Sequence, residues 1–215
     1  MRAIILAAGR GSRMGQLTDH TPKALLKVKN KFLIEYSIES LKTAGIHEIV
    51  INISYKREQI KTTLGDGSRF GVCLQYSEEP TALETGGGIF QALPLLGNEP
   101  FITTSCDIIS DYAFQNLKNL KNLAHLILVN NPSFHPKGDF CLENNRIYLG
   151  DDKNYTYGNI GLLHPALFSN CKPGRFLLGD LLKKAIAEKK VSGECFQGRW
   201  SNIGTKEDLA QANLA

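Results

Sequence analysis

Ala3-Ile4-Ile5-Leu6-Ala7-Ala8-Gly9-Arg10-Gly11-Ser12-Arg13-Met14 decides how this chain folds and what it holds. The first six residues are apolar without a break, which suits a strand covered on both faces in the middle of a parallel sheet. Gly9 ends the run. The Gly- and Arg-rich stretch beyond it falls where open α/β sheets bind ligands, past the carboxyl end of a strand. Gly9 and Gly11 strip away side chains that would keep backbone N–H groups from a phosphate oxygen. Ser12 adds a hydroxyl donor, while Arg13 and the later Pro22-Lys23 offer charge-assisted hydrogen bonds. A glycine turn with no ligand would need neither cation. The spacing is not that of a P-loop, and Met14 stands where a dinucleotide fingerprint needs its third glycine.

Working outward, Leu33, Ile34, Tyr36, Ile38 and Leu41 recur at helical spacing until Gly45. Residues 48–53 read as the next strand, 57–64 as a helix and 72–76 as an alternating strand. Residues 89–96 read as a short helix broken near Pro94, and 101–105 as an apolar strand that delivers Asp107 at its carboxyl end. This β-α alternation predicts a Rossmann-like α/β fold: a mostly parallel mixed sheet, flanked by helices, with right-handed crossovers. Beyond it come strands near 126–129, 139–142, 146–149 and 161–163, with helices over 177–188 and 206–214. No linker or repeat divides the chain, so 1–215 is expected to be a single domain. Residues 1 to about 110 would bind nucleotide and the remainder the acceptor.

Two further segments carry chemistry. Leu83-Glu84-Thr85-Gly86-Gly87-Gly88 places three glycines at what reads as the approach to a helix, a costly arrangement unless bare backbone is wanted there. Asp107, at the end of a buried strand facing the glycine loops, suits a magnesium ion that bridges phosphates.

Composition narrows the classes. Hydrophobic residues at 42% and charged residues at 21% exclude a disordered chain. Lys and Arg number 25 against 21 Asp and Glu, a surplus that suits a phosphorylated substrate but is too small to imply nucleic acid. The five cysteines are odd in number and far apart, so neither zinc nor a disulfide framework is expected. Cys106 reads as a small buried apolar residue. The opening apolar run is too short to span a membrane or to serve as a secretory h-region, so a cytoplasmic location is expected. The five histidines show no ligand spacing, and His164 reads as structural. Trp200 reads as core, with sugar stacking as the other role open to it.

The opening stretch through Met14, the following Pro-Lys, the 83–88 run and Asp107, in that order, resemble the sugar-1-phosphate nucleotidylyltransferase family. The resemblance covers nearly the whole chain. Gly65-Asp66-Gly67-Ser68-Arg69-Phe70-Gly71, Gly138-Asp139-Phe140, Leu163-His164-Pro165-Ala166-Leu167-Phe168 and Val191-Ser192-Gly193-Glu194 sharpen it toward a uridylyl-transferring branch. By that resemblance the partners are UTP and a sugar 1-phosphate, the cofactor is Mg²⁺, and no nucleic acid or membrane is involved. Ala7, Ala8, Gly9, Gly11, Ser12, Arg13 and Lys23 would hold the nucleotide, and Gly86 and Gly87 would face its base and ribose, with Glu84 shaping their loop. Arg13, Lys23 and Asp107 would be catalytic. Ser105, Asp139 and Asn159 would contact the acceptor, and Asp107 with Asn202 would bind the metal. The family's metal-binding strand end reads N-G-D where this chain has Ser105-Cys106-Asp107, and many relatives carry Asp where Asn202 stands. The resemblance leaves open another triphosphate or acceptor, or a catalytically silent nucleotide-binding module. The chain lacks the β-helix tail that makes some relatives trimers, so a monomer is expected.

Overall fold

The computed structural model describes residues 1–214. Its first half runs β1 (Arg2–Leu6), α1 (Leu17–His20), β2 (Lys27–Val28), β3 (Lys31–Phe32), α2 (Leu33–Thr43), β4 (Glu48–Ile53), α3 (Arg57–Leu64), β5 (Cys73–Glu78), α4 (Glu84–Leu96) and β6 (Phe101–Ser105). There follow β7 (Ile108–Ser110), β8 (Ala124–Asn130), β9 (Cys141–Glu143), β10 (Arg146–Tyr148), β11 (Tyr155–Leu163), α5 (Leu178–Ala187), β12 (Val191–Cys195), β13 (Trp200–Asn202) and α6 (Lys206–Leu214).

Nine of the strands form one mixed sheet, ordered β5-β4-β1-β6-β11-β8-β12-β10-β9. The first four run parallel. Next, β11 lies antiparallel to both β6 and β8, while β12 rejoins β8 in parallel. The single α/β sheet expected from the sequence is therefore present, parallel where helices alternate with strands and mixed where short strands follow one another.

Alternation along β1 builds both faces of the core. Ala3 and Ile5 pack with Ile34, Ile38 and Leu41 of α2 and Ile60 and Leu64 of α3. Ile4 faces the other way, toward Ile89, Ala92 and Leu96 of α4 and Leu178, Leu182 and Ile186 of α5. A smaller cluster joins Met14 and Leu33 to Ile203, backed by Leu209 and Ala212 of α6. That cluster seats the C-terminal helix against the loop that follows β1.

One sequence expectation needs correction. The glycine run does not precede a helix but lies in the first turns of α4, which also continues through Pro94 to Leu96. Close packing outweighs the poor helix propensity of glycine here. A Cβ on Gly86 would come within 2.5 Å of the Phe176 ring, one on Gly87 within 2.2 Å of the Gly174 carbonyl, and one on Gly88 within 2.4 Å of Glu79 Oε1. Gly87→Ala is accordingly expected to destabilise the protein by about 2–4 kcal/mol, since rigid backbone blocks the added methyl. Denaturant unfolding would measure it, and a change under about 0.5 kcal/mol would contradict this packing account.

Candidate active site

The site grows from three strand ends in register. Leu6 at the end of β1 lies opposite Asn52 of β4 on one side and Ser105 of β6 on the other. The Cys106 N–H donates to the Leu6 carbonyl at 3.1 Å, so Asp107 emerges directly beside the glycine loop. Lys23 forms an ion pair with Asp107 through Nζ and Oδ2. The lysine is only 8% exposed, and its stem crosses Gly11. A side chain on Gly11 would start 2.9 Å from the Lys23 Cβ, and its φ of 71° is left-handed, so glycine answers two demands at once.

A cleft of about 390 Å³ opens here, lined by Ala7, Ala8, Gly9, Gly11, Ser12, Arg13 and Lys23 together with Glu84, Ser105, Asp107 and Asn159. The structure thus gathers most residues singled out from the sequence into one place. Asp139 and Asn202 lie in an adjoining cavity, and Gly86 and Gly87 lie in neither. The two glycines are buried under residues 174–177, and their N–H groups both donate to the Phe176 carbonyl at 3.1 Å.

A second cavity of about 310 Å³ continues from the first, with Arg13 and Asn159 on both walls and Asp139, Trp200 and Asn202 further in. Asn159 owes its position to a bulge. The register of β11 against β8 shifts between Tyr157 and Ile160, and Asn159 adopts a φ of 55°. Asparagine tolerates that left-handed geometry better than most residues, and the bulge re-aims its side chain. Asp139 is fixed by the Tyr157 N–H at 2.9 Å and by His135 Nε2 at 3.0 Å. Trp200 packs on the core, as expected, donates to the Gly158 carbonyl at 2.9 Å, and also edges this cavity. His164 is structural, its Nδ1 accepting from the Ala166 N–H at 3.0 Å.

The donor set for a cation is small. Strands β7 and β13 pair so that Asn202 lies opposite Ile108, and the Ile203 N–H donates to the Asp107 carbonyl. Among the described residues Asn202 Oδ1 stands out as a buried oxygen with no hydrogen-bond partner. Buried polar atoms are nearly always satisfied, so an orphaned oxygen on a residue whose backbone neighbours Asp107 fits a hard divalent ion. No group of three or more His, Cys, Asp or Glu side chains capable of holding a metal occurs among the described residues. Phosphate oxygens would have to complete the shell, as is usual for magnesium. Burial pushes the Cys106 thiol up to about 12, and the nearby Asp107 charge acts in the same direction. Cys106 therefore stays protonated and serves as packing.

Sequence reasoning missed the network that holds the glycine loop. Asn52 Oδ1 accepts from the Ala7 N–H at 2.9 Å, and Asn52 Nδ2 donates to Glu79 Oε1 at 2.6 Å. Glu79 Oε2 in turn accepts from the Leu83 N–H at 2.9 Å, at the entry to α4. Burial holds the Glu79 carboxyl above its usual range, while the two donated hydrogen bonds pull it back. The available signal was a polar residue inside the apolar run 49–53. Asn52→Leu should cost about 2–4 kcal/mol of unfolding free energy, because it strands a buried N–H and a buried carboxylate. It should also raise the KM for triphosphate by about tenfold through a loosened loop. Denaturant melts and steady-state kinetics would read the two effects, and wild-type values in both would remove Asn52 from this role.

A sheet that delivers a glycine loop, two cations and a metal-ready carboxylate to one cleft defines a class, and the comparisons agree. The sequence model of the nucleotidyl transferase family matches residues 2–129, and the chain belongs to that family. It is 43% identical to N-acetylmuramate alpha-1-phosphate uridylyltransferase of Neisseria meningitidis serogroup B, across 99% of this chain and 96% of that protein. The enzyme of the same name from Caulobacter vibrioides is 29% identical over the same shares of the two chains. Among solved structures, an inositol-1-phosphate CTP transferase from T. maritima superposes with a TM-score of 0.83 at 21% identity, over 96% of this chain and 90% of that one. That likeness shows the fold. No helix among the described residues is long and apolar enough to cross a membrane.

Proposed function

We propose that this chain transfers a uridylyl group from UTP to N-acetylmuramate 1-phosphate, giving UDP-N-acetylmuramate and pyrophosphate. Such an activity would serve the re-use of a cell-wall sugar in the cytoplasm. The convergence of Arg13, Lys23 and Asp107 in one cleft, with the orphaned Asn202 oxygen on the next strand pair, is the observation that carries the reading. Likeness to two uridylyltransferases along nearly the full length of each supports the choice of substrates.

The acceptor's phosphate oxygen attacks the α-phosphorus of UTP, and pyrophosphate leaves. A sugar phosphate is largely dianionic at neutral pH, its second pKa being ~6, so no general base is required. That fits a cleft with no histidine on its wall. The protein's work is to align two anions that repel each other and to offset the charge on the transferring and departing phosphates. Gly9, Gly11 and Ser12 offer N–H and hydroxyl donors to the triphosphate, and Arg13 and Lys23 stabilise charge that grows in the transition state. Arg13 reaches both cavities and so stands between nucleotide and acceptor. Magnesium held by Asp107 and Asn202 would supply further neutralisation of phosphate charge.

A pyrophosphate-release assay over the four common triphosphates and a panel of sugar 1-phosphates tests the proposal. UTP with N-acetylmuramate 1-phosphate should give the highest kcat/KM. A preference for GTP or CTP, or for a mannose, heptose or glucosamine 1-phosphate, would replace the substrates while keeping the reaction class. UTP binding with no turnover in Mg²⁺ or Mn²⁺ would leave only a nucleotide-binding module.

A further inference from the structure

From the acceptor cavity we infer that the Phe134–His135 turn reads the carboxylate of the acceptor's lactyl arm, making His135 a specificity-determining residue. The inference rests on the acceptor proposed above. N-acetylmuramate is N-acetylglucosamine bearing a lactic acid ether, so the two sugars differ by one short arm that ends in a methyl and a carboxylate. Recognition of that arm needs room, a cation and a small apolar contact.

The room is present. The acceptor cavity opens past Phe134, Trp200 and Asn202 into a neighbouring cavity of about 490 Å³. The larger cavity has no Lys, Arg or His on its wall. In the acceptor cavity, the side chains able to carry positive charge are Arg13 and His135. Arg13 also lines the triphosphate cleft, which leaves His135 for a second anion. Phe134, 54% exposed, is the apolar neighbour for the arm's methyl.

His135 is also held in place. Its N–H donates to the Pro132 carbonyl at 2.9 Å, and its carbonyl accepts from the Gly138 N–H at 3.2 Å. Gly138 closes the turn at a φ of 59°, where a side chain would strike the Lys153 carbonyl at 2.5 Å. The His135 ring is pinned through Nε2 to Asp139, itself anchored on β11. Nδ1 has no partner among the described residues, which leaves it as the ring atom to meet the arm's carboxylate while Nε2 stays on Asp139. Without His135, the negative Asp139 would face the acceptor's carboxylate and repel it. A site built this way favours the acid over analogues that lack it.

Steady-state kinetics with UTP and three acceptors test this: N-acetylmuramate 1-phosphate, its lactyl amide, and N-acetylglucosamine 1-phosphate. In the wild-type protein the amide and the arm-less sugar should show KM values about tenfold or more above that of the acid, with kcat little changed. His135→Gln keeps a donor for Asp139 and removes the one aimed at the arm. It should raise the KM of the acid to that of the amide and leave the arm-less sugar within about twofold. Equal KM values for acid and amide in the wild-type protein would overturn the inference while leaving uridylyl transfer standing. A His135→Gln effect of the same size on all three acceptors would do likewise. No turnover with any of the three would overturn the proposed function as well. The acid–amide comparison needs no variant, so it decides even if the substitution unfolds the protein.

Discussion

Asp107→Ala is expected to lower kcat/KM by roughly 10³-fold or more at saturating Mg²⁺, the largest loss from any single substitution in this protein. The carboxylate is the charged member of the pair of oxygens proposed for the cation, and the other, Asn202 Oδ1, is a neutral amide. A neutral ligand cannot compensate for a missing charge, so the ion would depend on substrate phosphates alone. The substitution also removes the partner of Lys23, a lysine 8% exposed. Some loss of stability should accompany the loss of rate, and a thermal melt separates the two. Near-normal turnover in Asp107→Ala at saturating Mg²⁺ would show the metal assignment to be wrong.

Lys23→Ala should reduce kcat/KM by about 10²- to 10³-fold, chiefly in kcat if the ammonium acts on charge that develops in the transition state. The stem of Lys23 packs across Gly11, so alanine also takes away a wall of the glycine loop. Lys23→Met restores that wall without the charge. The methionine variant is expected to fold normally and to remain as slow as the alanine variant. An unchanged rate in either would move the role to another cation in the cleft.

Much of this site was legible because its strongest signals are local. An unbroken apolar run that ends in Gly9 marks a central strand and the end at which ligands bind. Arg13, Lys23 and Asp107 carry charge where a tight turn needs none. What the sequence concealed depends on contacts between distant segments. Gly86 to Gly88 looked like exposed backbone because glycine discourages helices. Residues 174–177, almost ninety positions later, are what make glycine obligatory inside α4. Asn52 and Glu79 escaped notice because each is an ordinary polar residue until its partner 27 positions away is known. The pairing of β7 with β13 was also invisible, since strands of three residues have no readable period. That pairing is what sets Asn202 beside Asp107. Asn159 and Gly204, both from the second half of the chain, line the same cleft as Arg13, Lys23 and Asp107.

Gly204 ties the segment after β13 to Arg13, the cation shared by the two cavities. A side chain there would press within 3.3 Å of the Arg13 guanidinium, so the segment after β13 rests directly against the loop that follows β1. A change in the segment after β13 would therefore shift Arg13, and with it a wall shared by both cavities.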